Sequence, residues 1–215
     1  MNEMNSSHAA NGRARRRRSD GERSRNAILR EAAQLATVVG IDGLSIGRLA
    51  DAVGMSKSGL FAHFGSKEEL QVATVEAASA LFTEQVIEPA LAAPTGLERL
   101  RQLADNFLQY VEGVYPGGCF FASVAAEMDT RPGPVRDLAV QLTDEWLGQL
   151  ELAVRDAQAE GALEGAEDPE QLAFELDAYM LMANALFVLR GDPKQLDRAR
   201  RALERRLEAA ATVSG

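Results

Sequence analysis

Four consecutive residues, Ser56, Lys57, Ser58 and Gly59, carry the chemistry needed to read a base edge. A lysine ammonium donates to O6 or N7 of guanine, and a serine hydroxyl donates or accepts at a base or a phosphate. Gly59 lets the backbone approach closely, and Ala62 has the size to meet a thymine methyl. Each residue also has a plainer account, with Ser56 as a helix cap and Lys57 as a solvated charge.

The elements that would position them are legible around that run. Ser45 is a plausible N-cap, and Ile46, Leu49, Ala50 and Val53 recur on one helical face. Gly54 can turn the chain with positive φ, and Ser56 can cap a second short helix whose Leu60 and Phe64 point inward. Gly65 ends that helix, and Ser66 with Glu69 forms a capping box opening the next. A preceding helix, about 22–39, has Ile28, Ala32, Leu35 and Val39 on one face and completes a three-helix bundle. This is the helix-turn-helix pattern, in which the first helix crosses the DNA backbone and the second lies in the major groove.

The run ADAVGMSKSGLFAHFGSKEEL (residues 50–70) resembles the signature of the TetR family of bacterial transcriptional regulators. The resemblance is strong over residues 22–75 and elsewhere extends only to an all-helical body of the expected length. It implies that Ser45, His63 and Lys67 face phosphates; the alternative for His63 is a structural hydrogen bond within the bundle. At the position of Phe61 such proteins usually have a tyrosine that bonds a phosphate, so here only apolar packing against the sugars carries over. The resemblance also implies a homodimer on a palindrome and a C-terminal domain that binds a small-molecule effector.

Charge is distributed to match. The 215 residues carry a net charge of −9, yet residues 1–67 hold eleven bases against six acids, +5, which leaves −14 for the remainder. A basic N-terminal module on an acidic body suits a DNA-binding domain joined to a partner or ligand domain. Residues 1–21 are polar and lack apolar periodicity, so they are expected to be a disordered basic arm. Arg15, Arg16, Arg17 and Arg18 there either meet phosphates or a minor groove, or remain a solvated tail.

Residues 68–215 read as further helices, making an all-α protein of about nine. The fourth runs from Lys67 to near Glu88, and Thr95 with Glu98 caps another. Pro132-Gly133-Pro134 and Asp168-Pro169 start helices of about 135–160 and 169–190, and Asp192-Pro193 starts the last. The helix at 169–190 is apolar almost all round in its second half, so with 135–160 it offers a surface for an intersubunit bundle, or burial within one monomer. Phe82, Phe107, Tyr110, Phe120, Phe121, Trp146 and Met180 are effector-lining candidates or plain core, with Asn106, Glu127 and Asn184 as polar groups that could orient a ligand.

Catalysis has little to stand on. The only histidines are His8 and His63, no Glu-x-x-His occurs, and Cys119 has no recognisable nucleophile arrangement. Neither a Walker A loop nor a dinucleotide fingerprint is present, so no cofactor or metal is expected. The single cysteine fits a reducing cytoplasm and is read as an inert small hydrophobe. No run of 18 uninterrupted apolar residues and no apolar leader occur, so neither a membrane span nor a secretory signal is expected. The expectation is a cytoplasmic, sequence-specific DNA-binding regulator, a homodimeric repressor released by a small apolar effector. The alternative is a non-specific DNA-binding helical protein that recruits a protein partner.

Overall fold

A computed structural model describes the backbone of residues 4–212 and the side chains of residues 21–212. Among them all regular structure is helical, with one isolated bridge between Leu163 and Ala211. Helix α1 (Met4–Val39) begins well before the expected start near Glu22, in place of an unstructured arm. Its early residues include alanines and arginines, good helix formers, and the first proline of the chain is Pro89. Helices α2 (Ile46–Val53) and α3 (Lys57–Phe64) form under the caps read from the sequence. Leu49, Ala50, Leu60 and Phe64 are buried beneath α1, and the Arg25 guanidinium lies 5.3 Å above the Phe64 ring.

Helix α4 (Lys67–Phe82) opens on Ser66, whose Oγ accepts from the Glu69 amide at 3.0 Å. It then runs through a π-helical turn (Thr83–Ile87) into one last turn, α5 (Glu88–Ala90). The amide of Asn106 donates to the Val86 carbonyl at 3.0 Å, tying α6 to this wide turn.

The body comprises α6 (Gly96–Gly113), α7 (Phe120–Met128), α8 (Pro134–Ala159), α9 (Pro169–Arg190) and α10 (Lys194–Ala210). Thr95 and Asp168 cap α6 and α9 as their sequence positions predict. Gly96 is required by packing, because a β-carbon there would stand 2.3 Å from the Ala157 nitrogen of α8. Buried side chains run continuously from Ile28 to Ala210. Each fully buried leucine contributes roughly 1.5–3 kcal/mol, against about 0–1 kcal/mol for an exposed ion pair such as Arg101–Glu204. Packing therefore holds the fold.

Large apolar side chains stay uncovered: Phe174, Met182, Val188 and Leu189 along one side of α9, and Val140 and Leu152 on α8, are exposed, Leu189 by 79%. Among the described helices α9 is also the one long and apolar enough to cross a membrane. Its opposite face buries Leu172, Leu176, Asp177, Met180 and Asn184 against the body.

Candidate nucleic-acid interface and buried cavity

The turn between α2 and α3 is built by Gly54 in the left-handed region at φ 67°, with the Met55 amide donating to the Ala50 carbonyl at 3.0 Å. Ser56 caps α3 by accepting from the Gly59 amide at 3.1 Å, and its hydroxyl lies 3.2 Å from that of Ser58. Ser56, Lys57, Ser58, Phe61, Ala62 and His63 are all exposed along this helix, and Phe61 keeps 58% of its surface open. An aromatic ring left open beside polar groups is a contact surface in waiting. Gly47 on α2 lies beside Lys57, and a β-carbon there would meet Lys57 Cε at an ordinary contact distance of 3.5 Å. Ser45 Oγ is occupied in accepting from the Arg48 amide at 3.3 Å. Lys67 is ion-paired with Asp42 at 2.7 Å, so a phosphate would have to compete for it. The side chains of Arg15, Arg16, Arg17 and Arg18 lie outside the described residues.

This surface is tied to the body at three points. Glu127, near the end of α7, accepts from the Ile41 and Asp42 amides at 2.6 and 3.0 Å. Glu127 is thus committed to the loop after α1 and does not orient a ligand as its sequence setting suggested. Arg131 meets Asp42 at 2.8 Å, and with Lys67 it holds the Asp42 carboxyl below the usual carboxylate range. The Gly117 amide donates to Thr37 Oγ1 at 3.3 Å.

Helix α7 also forms a wall of a cavity of about 120 Å³. Phe82, Phe107, Phe121 and Trp146 line it, as their types suggested. Phe82 meets Trp146 and Phe121 in T-shaped pairs at centroid distances of 5.2 and 5.6 Å, and Phe107 stacks on Trp146 at 5.8 Å. Tyr110, Phe120, Met180 and Asn184 pack behind this wall instead of lining it. Asn184 Oδ1 accepts from the Cys119 amide at 2.8 Å, and Asn106 serves the π turn. Burial pushes the Cys119 thiol up to about 11, which makes it a poor nucleophile.

The sequence reading missed Asp177 and Glu145, which also line the cavity. Asp177 is buried and accepts from Trp146 Nε1 at 2.8 Å. Burial raises its pKa, and the Trp146 bond opposes that shift. A signal was available: a lone aspartate three residues before Met180, on the buried side of an apolar helix.

A capped helix-turn-helix at the amino end of an otherwise helical body defines a DNA-binding regulator of transcription. Comparison with known proteins specifies the family. Residues 28–74 match the profile of bacterial regulatory proteins of the tetR family, and residues 96–203 that of the tetracyclin repressor-like C-terminal domain. The chain belongs to the TetR family. A TetR transcriptional regulator from Chloroflexus aurantiacus is 25% identical, with a TM-score of 0.84 over 91% of this chain and 100% of that one. AibR, solved in complex with isovaleryl coenzyme A and operator DNA, is 27% identical, with a TM-score of 0.68 over 83% of this chain and 97% of that one. A TetR-family regulator from Cytophaga hutchinsonii shares the fold at 20% identity, with a TM-score of 0.79 over 89% of this chain and 96% of that one. No curated protein matches by sequence.

Proposed function

We propose that the protein is a homodimeric repressor that binds a two-fold-symmetric operator and leaves it when a small molecule with an apolar body enters the cavity. The observation that carries this reading is the uncovered apolar side of α9, with Val140 and Leu152 exposed on the neighbouring α8. A second copy on that face removes the apolar side chains from water and sets two recognition helices about a two-fold axis. Half-sites then lie about 34–36 Å apart, or a multiple of that spacing.

In this reading residues 22–67 read DNA through Ser56, Lys57, Ser58, Gly59, Phe61, Ala62 and His63, while Ser45 and Lys67 flank them at the phosphates. Arg15 to Arg18 of the arm strengthen binding to any sequence. Residues 68–215 pair the subunits and hold the effector against Phe82, Phe107, Phe121 and Trp146, and the protein works in the cytoplasm. The ligand acts because it favours one of two arrangements of α7 against the loop after α1; equal affinity for both would shift nothing. Selection of random duplexes at ~150 mM salt tests the reading. Enrichment of an inverted repeat is expected, and an unenriched pool whose binding vanishes as salt rises would favour a non-specific DNA binder.

A further inference from the structure

We propose that the cavity takes a lipophilic organic cation, an amine or quaternary ammonium on a small apolar body, with Asp177 as its charge partner inside a box of Phe82, Phe107, Phe121 and Trp146. This rests on the reading of the cavity as the effector site and adds the ligand's chemical class.

A carboxylate taken out of water needs either a cation or a proton. Among the described residues no lysine, arginine or histidine lines this cavity, so the chain itself supplies no cation. Trp146 Nε1–H engages only Oδ1 of Asp177 and favours the ionised form. Aromatic walls attract cations through their negative faces and exclude the water that would screen them. Glu145, Thr143 and Leu181 are exposed where the cavity meets the surface, so a second carboxylate stands at the mouth. A cavity of about 120 Å³ is near the size that holds a benzene-sized group elsewhere, which suits a compact ligand. The arrangement repels an anion twice and offers no charge partner to a neutral molecule.

The test uses the full chain and Trp146, the one tryptophan, as the fluorescent reporter. Three probes share a benzyl group: benzyltrimethylammonium, its neutral isostere neopentylbenzene, and phenylacetate. The cation should bind about ten-fold more tightly than the isostere, and phenylacetate should not bind. Asp177→Asn, which keeps an acceptor for Trp146, should cut the preference to the smaller part that the aromatic rings supply, while leaving neopentylbenzene binding unchanged. The comparison of probes on the unmodified protein stands even if that variant fails to fold. Equal or tighter binding of the neutral or anionic probe would overturn the cation and leave the effector cavity standing. No response to any of the three would overturn both.

Discussion

The Glu127 carboxylate accepts from the Ile41 amide at 2.6 Å, across 86 positions of sequence, and from the next amide, that of Asp42, at 3.0 Å. It is held against the backbone by Gly40, which turns at φ 80° and where a β-carbon would stand 2.7 Å from Glu127 Oε2. The helix carrying Glu127 also carries Phe121 of the cavity wall, so one short rigid element spans cavity and DNA-reading unit.

Removing that carboxylate leaves two amides without their acceptor. Glu127→Ala should lower stability by about 1–3 kcal/mol, and Glu127→Gln, which retains one acceptor, by less. Urea unfolding followed by circular dichroism measures both. An unchanged midpoint for the alanine variant would show that water replaces the bond at no cost.

Lys57→Ala tests base reading. It should weaken binding to the selected duplex by about 1–3 kcal/mol and relax preference at one base position. A uniform loss across all sequences, seen by repeating the selection, would assign Lys57 to phosphate instead.

Phe61 is exposed on α3 and lacks a donor. Phe61→Tyr should tighten DNA binding by roughly 0.5–1.5 kcal/mol, the worth of one added hydrogen bond. Fluorescence anisotropy with the selected duplex reads the change. No gain would place the ring away from the backbone.

The dimer reading makes a hydrodynamic prediction. Replacing Met182 and Leu189 together with lysine sets like charges opposite their own copies on the α9 face, so sedimentation should shift from two chains to one. A variant that still sediments as a dimer would move the interface elsewhere.

Asp177 predicts a pH dependence with a definite sign. Its folded pKa is raised by burial above the unfolded value, about 3.9, so the folded state holds its proton to higher pH. Its ionisation therefore costs nothing below the unfolded value. The cost grows as pH rises through the folded value, and is complete above it. Asp177→Asn should raise the thermal midpoint at pH 7, with the gain shrinking as pH falls toward 4. A gain constant with pH would trace to packing rather than charge.

Much of this architecture was written locally. Ser45, Ser56, Ser66, Thr95 and Asp168 cap the helices their positions announced, because a cap depends on residues two or three away. Gly54 took the left-handed turn for the same reason. What stayed hidden depends on distant partners. Glu127 looks like any polar residue on an apolar helix until Ile41 is folded beside it. Asn106 finds its use only once Val86 sits in a π turn, which no local pattern marked. Phe82, Phe107, Phe121 and Trp146 were nameable as bulky residues on converging helices, but nothing in their spacing separated them from Tyr110 and Phe120, which pack one layer away. The sequence before Glu22 has no apolar periodicity, so no pattern there announced a helix.

The π turn at Thr83–Ile87 has a mechanical meaning. It holds one residue more than an α turn, and both its first and last residues, Thr83 and Ile87, stand at the cavity wall. Were that spare residue passed along, α4 would advance like a screw, by about 1.5 Å and about 100° around its axis. The head of that screw is Ser66, two residues beyond the end of α3. A slack thread at the cavity would thus be felt as rotation at the reading head.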